Sequence, residues 1–207
     1  LSNVNNLSLS GLGVSQYYST YSQPIFPYHI YVGSQDQGFQ KSIVDNGGIR
    51  DFEQVISGDY GHLGSGNQGE SVWANYPGFT IFFPNVENSN QNRMLDFPGS
   101  GYLWLAPLLA DPLNPTIAYL GGGGVSGGNH IIRITEEGAS LTYEELPQSF
   151  NGTISAMAIS PVNYNKWYIL TENGKFYRSS NAGITWNQSV GFLGPGSHYF
   201  YGATIVP

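Results

Sequence analysis

Short apolar runs, rich in β-branched and aromatic residues, recur along the chain between clusters of Gly, Pro, Asn and Asp. Ile30-Tyr31-Val32-Gly33, Val72-Trp73-Ala74-Asn75, Ala118-Tyr119-Leu120-Gly121 and Trp167-Tyr168-Ile169-Leu170 each predict a strand, because such side chains suit a pleated, half-buried surface. A turn follows every one: Asp36-Gln37-Gly38, Tyr76-Pro77-Gly78, the glycine run from Gly121 to Gly128, and Glu172-Asn173-Gly174. Asn-Gly and its relatives supply the positive φ that tight hairpins need. A further strand is expected after each turn, beginning at Phe39, Thr80, His130 and Lys175. The chain therefore reads as short strands joined by tight turns.

These elements repeat. The aromatic positions Tyr31, Trp73, Tyr119 and Tyr168 lie 42, 46 and 49 residues apart. In three copies a proline stands seven residues before the aromatic: Pro24, Pro112 and Pro161. Proline cannot donate to a ladder, so it belongs in a turn between a first and a second strand. The second copy has Gly66-Asn67 there, a different turn with the same purpose. A period of 40–50 residues is that of a four-stranded propeller blade. A β-sandwich also spaces strands evenly, but a shared proline-to-aromatic offset in aligned copies is hard to obtain that way. The expected fold is all-β: a β-propeller of about four four-stranded blades (7–58, 59–100, 101–150 and 151–198) plus a stub. The stub, 199–207, reads as the first strand of a further blade. Four blades and a stub leave raw strand edges, so a six- to eight-bladed ring completed by further blades or a second chain is expected.

Composition narrows the function. The 207 residues carry seven Lys plus Arg against fourteen Asp plus Glu, a formal charge of −7. A nucleic-acid partner needs a basic face, so that class is excluded. No apolar run approaches the length of a spanning helix. Cysteine is absent, which removes disulfides and thiolate metal sites. His29, His62, His130 and His198 show no ligand spacing, and no metal or cofactor is expected. The glycine run lacks the Lys and Ser/Thr of a phosphate loop and reads as a flexible hairpin.

Two motifs carry a family resemblance. Ser179-Ser180-Asn181-Ala182-Gly183-Ile184-Thr185-Trp186 resembles the Asp-box of BNR-repeat propellers, S-x-D-x-G-x-T-W, with Asn181 in place of the usual Asp. Ser179, Asn181, Gly183, Thr185 and Trp186 then have structural roles: a turn closed by side-chain bonds, and a Trp packed between blades. Tyr31-Val32-Gly33-Ser34-Gln35-Asp36-Gln37-Gly38 followed by Ser57-Gly58-Asp59-Tyr60-Gly61 resembles a recurrent pattern of large bacterial extracellular propellers of the WD40/YVTN/BNR-like repeat type. The resemblance, more distant to xyloglucanase and sortilin-type propellers, implies a secreted, cell-surface or periplasmic protein.

Asp36 and Asp59 are the polar candidates. A carboxylate pair 5–10 Å apart hydrolyses glycosides, whereas a lone turn aspartate bonds its own backbone. Gln35, Tyr60, Trp73 and Trp104 are further candidate ligand contacts; Tyr and Trp stack on sugars or anchor a protein partner. A sialidase would need three arginines around a substrate carboxylate, and Arg178 enters the Asp-box strand instead. An assembly factor of the photosystem-biogenesis type predicts a basic patch or lipoprotein signal, and neither is visible. The expected function is a binding or scaffold module, adhesin-like, for a glycan or a surface protein; the alternative is a xyloglucanase-like glycoside hydrolase.

Overall fold

The computed structural model describes residues 15–43, 51–192 and 204–206. Among these residues, sixteen strands form four four-stranded antiparallel sheets, each built in chain order. The first holds β1 (Tyr17–Ser22), β2 (Ile30–Ser34), β3 (Gly38–Ser42) and β4 (Phe52–Ile56). The second holds β5 (Leu63–Gly64), β6 (Val72–Tyr76), β7 (Phe79–Phe83) and β8 (Arg93–Asp96). The third holds β9 (Leu108–Ala110), β10 (Ile117–Gly121), β11 (Ile131–Glu137) and β12 (Ser140–Glu145). The fourth holds β13 (Ile154–Ile159), β14 (Trp167–Thr171), β15 (Phe176–Ser179) and β16 (Asn187–Gln188). The first strands β1, β5, β9 and β13 are neighbours in succession, as the inner strands of adjoining blades are. The architecture is about four blades of a β-propeller. Most of the expected fifth-blade stub lies outside the described residues; Thr204–Val206 form no strand.

Each sheet has two faces because side chains alternate along a strand. Tyr31 and Phe39 of the first blade pack on Val72, Ala74, Ile81 and Phe83 of the second. Trp73 and Phe82 of the second pack on Ala118, Leu120, Ile132 and Ile134 of the third. Ile117, Tyr119 and Ile131 of the third pack on Trp167, Ile169 and Tyr177 of the fourth. The repeating aromatic of the second strand thus faces the following blade in the first three sheets. Tyr168 holds that position in β14, directed away from the third blade and stacked on Phe176 at 6.1 Å.

Polar side chains tie the blades together near their inner ends. Asn75 is buried; its Oδ1 accepts from the His62 amide at 2.8 Å, and its Nδ2 donates to the Ala106 carbonyl at 2.5 Å. The Asp-Pro-Leu-Asn-Pro turn before β10 is closed by Asp111, whose Oδ1 accepts from the Leu113 and Asn114 amides at 2.7 and 2.9 Å. Asp111 Oδ2 also accepts from the Tyr119 hydroxyl at 2.7 Å. At the outer end, Lys41 is buried and pairs with Glu53 at 3.0 Å and with Glu87 at 2.8 Å, joining the first blade to the 3-10 turn Val86–Gln91.

The glycine run corrects the sequence expectation of a flexible hairpin. Gly121, Gly122, Gly123 and Gly124 are buried. Gly124 exchanges backbone hydrogen bonds with Ser100 at 3.0 and 3.2 Å, and Gly122 donates to His130 at 3.0 Å. The Tyr102 ring lies so close over Gly123 that a Cβ there would overlap it. Glu145 accepts from the Val125 amide at 2.5 Å and from the Ser126 hydroxyl. The glycines are a cradle for an aromatic ring: absent side chains allow the close approach.

Candidate functional site

Asp36 and Asp59 lie far apart in sequence, one in the β2–β3 hairpin and the other in the link from β4 to β5. The fold brings them side by side: Asp59 Oδ1 accepts from the Asp36 amide at 2.7 Å, and Gln37 pairs with Gly58 as a parallel bridge. Asp36 adopts a φ of 60°, left-handed geometry that Asp tolerates better than most side chains. Asp59 is therefore, at one oxygen, a turn clamp. Asp36 presents its carboxylate to solvent.

The strand β1 adds Tyr18, whose hydroxyl donates to Gln35 Oε1 at 2.9 Å. The Gln35 amide is fixed by the Gln16 carbonyl at 3.0 Å. Trp104, from the link into the third blade, meets Tyr18 edge to face at 5.8 Å and is 55% exposed. Desolvation raises the Tyr18 phenol above its ordinary value, and the negative charges of Asp59 and Asp36 raise it further, so it remains a hydrogen-bond donor. Four sequence candidates, Gln35, Asp36, Asp59 and Trp104, thus meet around Tyr18. The ion pairs of the described residues engage Glu53, Glu87, Glu136 and Glu144, and none reaches Asp36 or Asp59. The cluster offers two carboxylates, an amide, a phenol and an exposed indole.

Tyr60 and Trp73 belong elsewhere. Tyr60 is buried against Tyr76 and Phe79, and burial first, with Tyr76 adding to it, pushes its hydroxyl up to about 12. Trp73 is 0% exposed, stacked on Phe82 at 4.3 Å, with its Nε1 donating to the Pro115 carbonyl at 2.9 Å. Neither ring has surface to offer a ligand. Sequence placed them as contacts because an aromatic that packs blades and one that packs a ligand look alike in one dimension.

The Ser179–Trp186 turn between β15 and β16 is closed by side chains. Ser179 Oγ accepts from the Asn181 and Gly183 amides at 3.2 and 3.0 Å, while Asn181 Oδ1 accepts from the Thr185 amide at 3.0 Å. Trp186 Nε1 donates to Gly183, and its ring meets Phe150 at 5.1 Å. The same bonds recur where sequence expected a different turn, between β5 and β6. Ser65 Oγ accepts from the Asn67 and Gly69 amides at 3.3 and 2.8 Å, and Asn67 Oδ1 accepts from the Ser71 amide at 2.9 Å. Even the backbone matches: Gln68 and Gly69 have φ of 61° and 94°, Ala182 and Gly183 of 54° and 80°. The signal S-x-N-x-G-x-S/T stood in the sequence, hidden by its different place in the blade.

Among the described residues no group of His, Asp or Glu could hold a metal ion, and no helix is long and apolar enough to cross a membrane. His198 lies outside the described residues.

No protein-family model matches the chain, and no curated protein matches it. Solved structures do. The β-propeller domain of Cps50 (Swd1) from Myceliophteria thermophila is similar with a TM-score of 0.64 at 11% identity, over 89% of this chain and 57% of that one. Apo AztD from Citrobacter koseri is similar with a TM-score of 0.51 at 13% identity, over 83% and 46%. YCF48 bound to a D1 peptide is similar with a TM-score of 0.50 at 16% identity, over 91% and 60%. The shared property is the propeller fold, and this chain spans about half to three fifths of each of those proteins.

Proposed function

We propose that this chain is a non-catalytic binding module of an exported propeller, and that it docks a cationic segment of a protein partner on the Tyr18–Gln35–Asp36–Asp59–Trp104 cluster. One observation carries this reading: two carboxylates without a cationic neighbour among the described residues, beside a half-exposed indole. An arginine or lysine side chain would pair with the carboxylates while its cation lies over the indole face. The net charge of −7 would steer such a partner in. That YCF48 is a propeller bound to a peptide fits, without identifying the peptide here.

The ring continues beyond the fourth blade in this reading. The direction of Tyr168 supports it, since Tyr31, Trp73 and Tyr119 are each covered by a following blade. The Ser179–Trp186 and Ser65–Ser71 turns support an Asp-box type of propeller, with Asn keeping the acceptor oxygen that Asp would supply.

The test is titration of the protein with Arg- and Lys-containing peptides by calorimetry at low and high salt. Saturable binding that weakens with salt, and falls about tenfold in Asp36→Asn, is expected. Binding indifferent to both changes would sink the reading. The hydrolase alternative draws on the nearness of Asp36 and Asp59. Release of reducing sugar from a β-glucan panel by the wild type, lost in Asp36→Asn, would replace the binding reading with that one.

A further inference from the structure

A second concave site lies at the outer junction of the first two blades, away from the cluster above. It is a cavity of about 680 Å³, within the range of small-molecule sites. Its floor holds Gln23 and His29, both at 7% exposure. His29 is fixed at both ring nitrogens, Nδ1 at 2.7 Å from the Ser42 carbonyl and Nε2 at 3.3 Å from Glu87 Oε1. Gln23 Oε1 accepts from the His29 amide at 3.2 Å, while its NH2 has no hydrogen-bond partner among the described residues. It is not sealed off from solvent either, and Gln23 lines the cavity, which leaves that donor available to a ligand there. Glu70, exposed and in none of the described ion pairs, also lines the cavity. One wall is Phe26, 77% exposed, with Tyr28 meeting its ring edge to face at 6.1 Å.

We infer that this cavity binds a neutral saccharide. The ligand must meet a free amide donor and a free carboxylate acceptor in one cavity, and must cover an aromatic plate. An ammonium or guanidinium satisfies Glu70 but sets its own donors against the Gln23 NH2. An anion satisfies Gln23 but faces Glu70 and Glu87. A hydroxyl both accepts and donates, so a polyhydroxyl ring serves both, and its C–H face packs on Phe26. Glu87 adds no further demand, because Lys41 and His29 hold its carboxyl below the usual range. This site is independent of the peptide-docking cluster.

The experiment is saturation-transfer NMR and calorimetry on the full chain with cellobiose, maltose, xylobiose and chitobiose, against digalacturonate and an Arg-containing peptide. Saturable binding of at least one neutral disaccharide is expected, with digalacturonate at least about tenfold weaker. Phe26→Ala, at an exposed position that leaves the core intact, should weaken that binding roughly tenfold with an unchanged melting temperature. Asp36→Asn should leave it unaltered, which separates this site from the other cluster. Absence of binding by all four neutral sugars, indifference to Phe26→Ala, or Phe26-dependent binding of the charged probes alone would overturn the proposal.

Discussion

At the residue scale, the turns and the buried polar atoms decide. Asn181 Oδ1 and Asn67 Oδ1 each accept hydrogen bonds that close a turn. Replacing either by Ala removes those acceptors and should cost about 1–2 kcal/mol in urea unfolding, whereas Asp at the same places should be tolerated. Thr80 runs the other way. Its Oγ1 is buried with no hydrogen-bond partner among the described residues, so Thr80→Val should stabilise by about 1 kcal/mol. His62 contributes a pH dependence. Desolvation lowers its pKa, outweighing a backbone hydrogen bond with Leu105 that raises it. The folded ring is therefore neutral where the unfolded one takes a proton. Stability is fully present above about pH 6.5 and declines as pH falls from there toward the folded pKa. Unfolding midpoints at pH 7.5 and 5.5 should differ, and His62→Gln should reduce the difference.

At the scale of elements, the middle of the array is the most protected. The strand β10 is buried throughout and covered on both faces, while β16 is exposed. Amides of Ile117–Gly121 should exchange slowest with deuterium, and those of Asn187 and Gln188 fast. The loops matter as much. A Cβ on Gly123 would overlap the Tyr102 ring, which donates its hydroxyl to Pro98 at 2.7 Å. Gly123→Ala should displace Tyr102 and cost about 1–3 kcal/mol. Strand positions and the proline turn before β10 were legible in sequence because β-branched and aromatic runs bounded by Pro/Asn turns are local signals. The glycine cradle was not, because what it holds comes from a segment twenty residues away in the chain.

For the whole molecule, the apolar cores of the described residues each join one blade to the next, the Tyr18–Trp104 contact reaching further. Stability is then a sum of blade terms and interface terms. Phe82→Leu acts at the second interface and Ile169→Val at the third, with no shared partners. Their effects on unfolding free energy should add within about 0.5 kcal/mol. A large coupling would mean that the array yields as one body. The candidate cluster belongs to this scale too. Tyr18, Asp36, Asp59 and Trp104 come from four separate segments, which strand pairing in the first blade and the packing of later links against it assemble.

The sequence by itself determined the repeat: the aromatic period, the proline offset and the turn residues are local chemistry, and they suffice for four sheets of four strands. It also marked Asp36 and Asp59, though not that they are neighbours. Tertiary structure decided which aromatics were spent on packing and which were left for a partner. Trp73 and Trp104 are the same residue type, one wedged between sheets and the other half-exposed beside Tyr18. That difference depends on which face of a blade the next blade covers, and on where a link crosses its end. Neither is written in the residues adjacent to the tryptophan.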